Sequence, residues 1–595
     1  MKNKVIGGIA VIAIILLIPS IMPTTVQSPD NQISYQGLYT SVNTSENAND
    51  YQAQEQCDDL QTSKIPVLLQ ESQSILKITD IASDTTGIAI TVANRGQIDA
   101  SDIEMDVTST EGLFVFIPKK QYKIPQIKSG ESTQIHISIL GLGMGLATDY
   151  PQITCSLHSS DKPDTTGKIT ANIIGPFVTI IGKVYDENKS YKGYTLFAPM
   201  WDRQTYLMDN NGTIVHSWRS IYLDTQASYL LENGNLARTS LVADASLFAG
   251  GDQGRIELFD WNGTKLWNFE YSTDQYCQHH DIEPLPNGNF LVIAWELKTV
   301  EETVSAGRNP TMVSKNGFWP DHIIEVEPTG YSTGKIVWEW HAWDHIIQQF
   351  DPTKENYGII KDHPELIDIN YGGQRNDWLH INSVDYNEEF DQILLSVHNF
   401  NEIWIIDHST TTEEAASHTG GRYDMGGDLL YRWGNPRAYR HGDENDQKFF
   451  GQHDARWIEP GNPGEGNILV FNNNKGGRQA RYSSVEEIVP PVDENGIYHY
   501  ITGSAYGPKE QIWVYIAENP LDLYSSTCSS SQRLPNGNTL ICSANQGIFY
   551  EVTAKKEVIW SYVNPYHQLS SQTSVSVTEI FRYPLDYPGL IDIEI

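Results

Sequence analysis

Positively charged residues and cysteines are scarce in this chain of 595 residues. Lys and Arg number 40 against 75 Asp and Glu, which gives a formal net charge of −35 at pH 7. A nucleic-acid surface needs basic stripes, so this charge argues against nucleic acid as a partner. The five cysteines show no CxxC or CxxH spacing, which argues against a structural zinc site.

Long apolar runs are missing too, except at the N-terminus, where Lys2 and Lys4 precede an apolar run from Val5 to Ile18. This pattern is typical of a signal peptide or an uncleaved membrane anchor, and we assign residues 1–25 to it. No small-x-small cleavage site follows, and the lysines precede the run. We therefore expect an anchor, with the rest of the chain extracytoplasmic at the cell surface, or else a secreted protein.

Two segments without catalytic motifs come next. Residues 26–63 are rich in Ser, Asn, Gln and Asp, a composition that predicts a flexible linker. Residues 64–178 contain short alternating stretches such as "GIAITVANRG" and "TQIHISILG" between turn residues. Such spacing predicts a small immunoglobulin-like β-sandwich, which we interpret as a spacer or adhesion module.

What the chain has in abundance is a repeat that begins near residue 179. An Asn-Gly type turn between apolar strands recurs as "LENGNLA", "LPNGNFLV", "GEGNILV" and "LPNGNTLI". An outer strand recurs as "GTIVHSW", "GTKLWNF", "GKIVWEW", "GDLLYRW" and "KEVIWSY". Asn-Gly between apolar runs predicts a hairpin in which both turn residues take φ > 0. Four-strand units with this recurrence are typical of a β-propeller.

Counting the repeats predicts six blades. Five complete units lie near 224–270, 276–345, 378–434, 449–518 and 522–563. Residues 193–222 supply outer strands alone, and residues 574–584 supply one inner strand alone. Joined, these two segments would form a sixth blade and leave no free sheet edge in the ring. We therefore predict an all-β chain with a six-bladed β-propeller over 179–595.

Histidines recur at the start of the innermost strands. Aligning the units on their turns places His280, His380 and His453 at one repeat position, with Ser529 there in the fifth unit. Innermost strands line the central channel of a propeller, so these side chains should meet. Asp281 and Asp454 are candidates to orient neighbouring imidazoles. Three imidazoles can bind zinc, but no carboxylate or cysteine completes a ligand set, so we predict no metal.

Several segments carry a family likeness: "GYTLFAPMWDRQTYLMDNNGTIVHSW", "HHDIEPLPNGN", "DWLHINSVDYN", "GQHDARW" and "RYPLDYPGL". Over about residues 180–595 the chain resembles the PAPS-independent arylsulfate sulfotransferases. The resemblance implies a six-bladed propeller that moves a sulfuryl group from a phenolic sulfate to an acceptor phenol, without a nucleotide donor, cofactor or metal. It also implies that His453 is the nucleophile, that His280 is the general acid–base, and that His380 and Asn382 bind the sulfuryl oxygens.

One position departs from the family pattern. The family carries an essential Arg on the strand after the "HIN" histidine, where this chain reads "LLSVHNFNEIWIID" and has His398. Imidazole lacks the fixed charge and the bidentate fork of guanidinium. His398 would join the other histidines in the site. Arg478 and Arg481 are candidates to enter it from another blade, but the sequence favours a plain surface role for both.

Two other function classes stay open at the level of sequence. One is a non-catalytic, surface-anchored propeller that binds a ligand or partner protein, which the His398 departure favours. The other is a quinoprotein dehydrogenase, which would need a calcium site and a stacked Trp pair, and the sequence shows no pattern for either. The sequence favours the enzyme, with small phenolic donors and acceptors as partners and the membrane contacted through the N-terminal segment.

Overall fold

The computed structural model describes residues 73–110, 115–143, 150–159, 162–223, 226–477, 481–566, 576–591 and 593. The chain divides into two compact units, Met1–Gln70 and Glu71–Ile595, and every described residue belongs to the second. The predicted anchor (1–25) and linker (26–63) lie outside the described residues. Within the described part, no helix has the length and apolar character needed to cross a bilayer.

The ten strands before the repeats form two sheets that share a core. They are β1 Leu76–Asp84, β2 Gly87–Asn94, β3 Ala100–Ser109, β4 Val115–Phe116, β5 Gln121–Ile127, β6 Ser132–Ser138, β7 Leu140–Gly143, β8 Gln152–Ser159, β9 Lys162–Gly175 and β10 Phe177–Val184. One sheet has the order β1-β2-β6, and the other contains β10-β9-β8-β3-β5. Apolar residues that alternate along these strands, such as Ile90 and Met105, fill the space between the sheets. The immunoglobulin-like classification stays a prediction.

All the later strands except two short ones, Ile346–Ile347 and Ile367–Asp368, build six four-stranded antiparallel units, numbered in the order of the predicted repeats. The first holds β14 Ser228–Leu230, β15 Leu236–Leu241, β16 Gly254–Phe259 and β17 Lys265–Glu270, and the second holds β18 Tyr276–Pro284, β19 Phe290–Glu296, β20 Asp321–Gly330 and β21 Thr333–His341. The third holds β24 Ile381–Asn387, β25 Gln392–Val397, β26 Glu402–Asp407 and β27 Tyr431–Trp433, and the fourth holds β28 His453–Trp457, β29 Ile468–Asn472, β30 Ser484–Ile488 and β31 Trp513–Tyr515. The fifth holds β32 Ser530–Arg533, β33 Thr539–Ser543, β34 Ile548–Val552 and β35 Val558–Val563, and the sixth holds β11 Gly193–Pro199, β12 Gln204–Met208, β13 Ile214–Arg219 and β36 Val577–Pro584.

The sixth unit joins two distant parts of the chain. Gly193–Pro199 pairs antiparallel with Val577–Pro584, as the two incomplete repeats predict. In the fifth unit the sheet does not stop at its fourth strand, because Gly182–Val184 of β10 pairs with Trp560–Tyr562 of β35. The strands before the repeats therefore continue the fifth unit's sheet, and the predicted boundary at residues 178/179 falls inside β10.

Tryptophans of the outer strands link the six units in a closed cycle. Each indole Nε1–H donates to a backbone carbonyl at the outer hairpin of the next unit, over 2.7–3.1 Å. The donor and acceptor pairs are Trp218 to Asp260, Trp267 to Thr333, Trp340 to Gly427, Trp433 to Pro508, Trp513 to Ala554 and Trp560 to Asn210. The recurring Trp is therefore the contact that fastens each unit to its neighbour, since a buried indole needs an acceptor.

The turns of the repeat differ from the predicted geometry. Gly234 and Gly288 have φ of 81° and 86°, whereas the asparagines before them are not in the left-handed region. Gly288 N–H donates to the carbonyl of Leu285, whose own N–H donates to the carbonyl of Asn289, each over 2.9 Å. The turn is thus a three-residue loop with glycine alone at positive φ, so the predicted two-residue hairpin is wrong.

Helical segments are short, and irregular connections insert between strands. The α-helices are α1 Val300–Ser305, α2 Thr412–Ala415 and α3 Pro588–Ile591. The 3₁₀ segments are Pro310–Met312, Ala342–His345, Ile360–Asp362, His398–Phe400, Pro436–Tyr439, Pro520–Asp522 and Ala544–Gln546. A small parallel pair, β22 Ile346–Ile347 and β23 Ile367–Asp368, lies in the long connection between the second and third units.

Candidate active site

Side chains at one repeat position bind the backbone of the next unit and so define which positions are equivalent. Each of these side chains accepts a hydrogen bond from a backbone N–H in the innermost strand of the next unit. The donor is the residue that follows the equivalent position in that strand. The acceptor and amide pairs are Asp281 and Val384, Ser383 and Ala455, Asp454 and Ser531, Ser530 and Ile580, and Glu579 and Ser228. Asp281, Ser383, Asp454, Ser530, Glu579 and, by position, Ala227 are therefore equivalent.

The residues directly before these acceptors face one small cavity. Gln226, His280, Asn382, His453, Ser529 and Thr578 all line it, together with neighbours from the acceptor position. Its volume is about 20 Å³, room for roughly one water molecule. Six innermost strands therefore contribute one side chain each at the same height.

His380 does not hold the repeat position that the sequence alignment gave it; Asn382 does. The innermost strands start irregularly, and the irregularities differ in size. Between Gln278 and Ile282 the register against β19 slips by two residues, whereas in β24 and β28 it slips by one. Because the slips differ in size, the number of residues between turn and site is not the same in every unit, and the alignment on turns chose His380 in place of Asn382.

The four predicted histidines nevertheless lie together. Ring centroids are 4.5 Å apart for His280 and His380, 5.0 Å for His380 and His398, and 5.3 Å for His398 and His453. His280 and His453 line the small cavity, and His380 and His398 line a pocket of about 340 Å³. Residues spread over more than a quarter of the chain thus form one continuous row of imidazoles.

His453 has a defined tautomer. Its Nδ1 lies 2.8 Å from Oδ1 of Asn473 and 3.2 Å from the carbonyl oxygen of Gly451, and both oxygens are acceptors. The proton of neutral His453 therefore sits on Nδ1, and the lone pair sits on Nε2. Burial and the neighbouring imidazole of His398 hold the pKa of His453 well below its usual range, so the ring is neutral at pH 7.

His280 is fixed by a close backbone approach. A Cβ on Gly251 would lie about 2.1 Å from Cε1 of His280, so only glycine fits beside this ring. The carbonyl of Gly251 also accepts the His280 N–H over 2.8 Å. Nδ1 of His280 lies 2.8 Å from Nδ1 of His279, and one of the two carries the shared proton. Burial and the imidazole of His380 hold the pKa of His280 well below its usual range.

His380 is the cationic member of the row. Its Nδ1 lies 2.5 Å from Oδ2 of Asp377, whose other oxygen accepts from the indole of Trp295 over 3.0 Å. Burial opposes protonation of His380, but the charges of Asp377 and Asp321 outweigh it and raise the pKa. With Nδ1–H bound to Asp377, the Nε2–H of the imidazolium remains available to an anion.

His398, at the position of the family arginine, is neutral. Its Nδ1–H donates to Oδ1 of Asn399 over 3.1 Å, and the Asn399 amide is fixed because it donates to the carbonyls of Asp377 and Trp378. Burial and the charge on His380 lower the pKa of His398 to about 4. Of these two neighbouring imidazoles, His380 and not His398 therefore carries the positive charge.

The sequence suggested that Asp281 and Asp454 orient neighbouring imidazoles, but in the structure they bind other groups. Asp281 accepts from the Tyr229 hydroxyl over 2.7 Å and from the Val384 amide, and Asp454 accepts from the Ser531 amide and from Arg456 over 2.5 Å. Both carboxylates lie near the Arg456 guanidinium, at 3.8 Å for Asp281 and 2.5 Å for Asp454. Their carboxyl groups bind neighbouring strands, and the amides Asn473 and Asn399 take the orienting role for His453 and His398.

A larger basic pocket opens beside His398. It has a volume of about 910 Å³ and is lined by the guanidinium-bearing residues Arg375, Arg437 and Arg481, with Phe450 and Tyr524 as aromatic walls. Arg375 also lines the pocket at His380. Arg481 is exposed and lines this pocket, although the sequence favoured a plain surface role for it, and Arg478 lies outside the described residues.

Asn382 carries both donor and acceptor groups at the small cavity. Its amide donates to the carbonyl of Gln452 over 2.8 Å, which fixes the orientation of the side chain. Its Oδ1 is buried without a hydrogen-bond partner, and the bond to Gln452 uses one of the two N–H groups of the amide. The predicted residues thus lie together, and sequence reasoning missed Asn473, Asp377, Asn399 and Gly251, which hold them.

Solved structures similar to this chain are distant. A protein of unknown function from Bacteroides caccae is 11% identical, with a TM-score of 0.36, and the match covers 66% of this chain and 99% of that one. Virginiamycin B lyase from Staphylococcus aureus is 10% identical, with a TM-score of 0.29 and coverage of 63% and 86%. Likenesses at this level carry no argument about function, and no curated protein matches the chain.

A family model gives the assignment. The model described as "Arylsulfotransferase (ASST)" matches residues 183–582, which is most of the chain and includes all six units and the whole histidine row. The match agrees with the resemblance seen in the sequence motifs and supports an enzyme of the sulfuryl-transfer kind. The chain therefore belongs to the arylsulfotransferase family.

Proposed function

We propose that this protein is an arylsulfate sulfotransferase that passes a sulfuryl group from a phenolic sulfate ester to an acceptor phenol through a sulfated His453, without PAPS. The observation that carries the proposal is the fixed tautomer of His453. Its Nδ1 proton is held by Asn473 and Gly451, so the neutral ring presents a lone pair on Nε2 next to His398. A neutral imidazole is a good nucleophile near pH 7 and adds no charge repulsion to an anionic ester.

The transfer takes two displacements. His280 is neutral in the free site and takes up a proton when the anionic donor binds beside it, because the added negative charge raises its low pKa. In the first displacement, Nε2 of His453 attacks sulfur, the bond from sulfur to the phenolic oxygen breaks, and that oxygen leaves with the electron pair and takes the proton from the His280 imidazolium. In the second, the oxygen of the acceptor phenol attacks sulfur, the sulfur–nitrogen bond breaks, and the electron pair returns to Nε2. His280 takes the proton of the acceptor, which restores the starting state.

The charges of the site suit an anionic group in transfer. The His380 imidazolium, held by Asp377 at 2.5 Å, offers Nε2–H to a sulfuryl oxygen, and the Asn382 amide offers its second N–H. Arg375 lines the same pocket as His380 and His398 and adds a permanent charge. These groups replace the guanidinium that His398 does not supply.

The aryl groups of donor and acceptor need space outside the histidine row. The pocket lined by Arg375, Arg437, Phe450 and Tyr524 meets that need, because it adjoins His398 and combines cations with aromatic walls. One pocket then serves donor and acceptor in turn, which gives ping-pong kinetics.

The architecture we propose around the site is a six-bladed propeller. The six four-stranded units, the Trp contacts that return from the fifth unit to the sixth, and the amide contacts between innermost strands support it. We further propose that the protein acts outside the cytoplasm, held by residues 1–25, because Lys2 and Lys4 precede the apolar run.

The test uses the full chain, purified in mild detergent. It is incubated with an aryl sulfate alone, quenched in alkali, which preserves sulfur–nitrogen bonds, and searched for a mass gain of about 80 daltons, one SO₃ group. Added phenol should then discharge the adduct and form the new ester. Sulfation at another residue would overturn the role of His453, and turnover only with a nucleotide phosphosulfate would overturn the donor class.

The second candidate is a non-catalytic propeller that binds an aromatic anion. It is favoured by His398, whose pKa of about 4 leaves the family arginine position uncharged at neutral pH. Binding of aryl sulfates by calorimetry, without adduct or turnover for any donor, would select this candidate.

A further inference from the structure

A second histidine cluster lies away from the channel, where the second and third units meet. His345 ends the 3₁₀ segment Ala342–His345 after the second unit, and His418 and Asp428 lie between the strands β26 and β27 of the third. Nδ1 of His345 and Nδ1 of His418 each lie 2.8 Å from the same oxygen, Oδ1 of Asp428. The three ligand atoms all lie within 4.8 Å of one another.

The contact between Nδ1 of His345 and Oδ1 of Asp428 joins two hydrogen-bond acceptors. Nε2 of His345 lies 2.8 Å from the carbonyl oxygen of Ala415, which can only accept, so the proton of neutral His345 is on Nε2. Nδ1 then presents a lone pair to a carboxylate oxygen at 2.8 Å. A proton shared between the two atoms, or a metal ion bound by both, makes this contact favourable.

The surroundings favour a built site. A Cβ on Gly427 would lie 2.5 Å from Nε2 of His345 and 2.1 Å from the Ala415 carbonyl oxygen, so only glycine permits this arrangement. The Ala415 carbonyl fixes the tautomer, which is the usual outer contact of a metal-bound imidazole. His345 is fully buried, whereas the His418 side chain is 60% exposed, which leaves solvent access on one side.

We propose that His345, His418 and Asp428 bind one divalent zinc-type ion, with water as the fourth ligand. Two imidazole nitrogens and a carboxylate oxygen are ligands that zinc prefers, and three protein ligands with one open position form a common tetrahedral set. The ligands come from two adjacent units, beside the Trp340 to Gly427 hydrogen bond of 2.7 Å. The ion would fasten the loop that carries α2 to the end of the second unit.

The experiment follows Co²⁺ as a spectroscopic substitute for zinc. The full chain is stripped with a chelator, exchanged into metal-free buffer and titrated with Co²⁺, while visible d–d absorption is recorded. We expect one equivalent of Co²⁺ with the intense bands of tetrahedral coordination, displaced by Zn²⁺. Zinc should also raise the melting temperature of the stripped protein.

Variants locate the ion. His418→Ala removes an exposed ligand at little risk to folding and should abolish the bands and the zinc-dependent rise in melting temperature, as should Asp428→Asn. His363→Ala is the matched control, since His363 is an exposed histidine whose Nδ1 lies 2.9 Å from Glu365, and it should bind Co²⁺ like wild type. Absence of tetrahedral bands in wild type, or bands retained in His418→Ala, would overturn the proposal.

Discussion

Asn473 sets the chemical state of His453: its Oδ1 lies 2.8 Å from Nδ1 of the imidazole. The Asn473 amide cannot turn over, because its Nδ2 donates to the carbonyls of Ser525 and Cys528 over 3.0 and 2.7 Å. The loop that begins the fifth unit therefore decides which nitrogen of a fourth-unit histidine carries a lone pair.

We expect Asn473→Ala to lower kcat while leaving the fold intact. Losing one buried hydrogen bond to the ring costs about 1–3 kcal/mol, or roughly 5–100-fold in rate. Rates of adduct formation with an aryl sulfate alone measure the effect. Asn210→Ala, which removes a comparable amide in an outer hairpin, is the control and should retain full activity. An unchanged rate of adduct formation in Asn473→Ala would show that the tautomer is not set by this contact.

Removing the nucleophile should cost more than removing the acid–base. We expect His453→Ala to abolish both turnover and the covalent adduct, whereas His280→Ala should lose about 10²–10⁴-fold in rate and still form the adduct slowly. A donor with a better leaving group should rescue His280→Ala, because less protonation is needed. His216→Ala, on an outer strand with the ring stacked on Trp261, is the control. Turnover that survives in His453→Ala would rule out the two-step scheme.

Much of the fold could be predicted from sequence, because the repeat carries its own structural markers. The turn glycines mark hairpins, and each outer-strand Trp, such as Trp267, marks the contact to the next unit. The pairing of the two incomplete units could be predicted because each would otherwise leave a free strand edge in the ring. The continuation of the fifth unit into β10 could not be predicted, since the residues that make it, Gly182–Val184, carry no signal beyond that of an ordinary strand.

The site was predictable as a set of residues, but its electrostatics were not. His280 and His453 were found because repeat positions converge in space, yet the alignment chose His380 in place of Asn382, since the irregular strand starts differ in length between units. Sequence could not show that Asp377 makes His380 cationic or that Asn473 orients His453. Both effects depend on distances of less than 3 Å between side chains whose relation the chain order does not fix.

The charge of His380 predicts the alkaline limb of the pH profile. Asp377 raises the pKa of His380, so the cation persists as pH rises and is lost only above that raised value. In Asp377→Asn the opposing effect of burial dominates and lowers the pKa of His380. The decline of kcat/KM with rising pH should therefore begin at a lower pH than in wild type, and activity should recover on acidification. Asp391→Asn disrupts a similar pair with His408, 2.7 Å apart and outside the site, and should leave the profile unchanged. An alkaline limb unmoved in Asp377→Asn would contradict the role of the His380 cation.

The carboxyl groups around Arg456 predict a pH-dependent stability. Burial raises the pKa of Asp385 to about 7, so the folded state retains a proton that the unfolded state releases near pH 4. Stability from this group is fully present below about pH 4 and is lost as pH rises towards 7, by at most about 1.4 kcal/mol per pH unit. Asn mimics the protonated carboxyl, so Asp385→Asn should gain stability relative to wild type as pH rises from 4 to 7 in urea unfolding. A difference that stays constant over this range would contradict the raised pKa.

His398 holds the position at which, by the resemblance, the family carries an arginine. At neutral pH the imidazole is uncharged, and pockets of about 340 and 910 Å³ adjoin it, so a longer side chain has room. We expect His398→Arg to strengthen donor binding and transition-state stabilisation. A charge-assisted hydrogen bond to a sulfuryl oxygen contributes about 1.5–3 kcal/mol, or roughly 10–100-fold in kcat/KM.

The control is His398→Gln, which keeps a neutral polar group of similar size and should stay within a few-fold of wild type. Steady-state kinetics with one aryl sulfate and one phenol compare the three proteins, and adduct formation reports the first step alone.

The new guanidinium would lie close to His380, whose ring centroid is 5.0 Å from that of His398, and should lower the pKa of that imidazole. The alkaline limb should therefore move to lower pH in His398→Arg even as the rate rises. A fall in kcat/KM at every pH would show that the site works with His380 as its cation and has no place for a second one. Activity that appears only in His398→Arg, from an inactive wild type, would instead identify the natural chain as a binding protein.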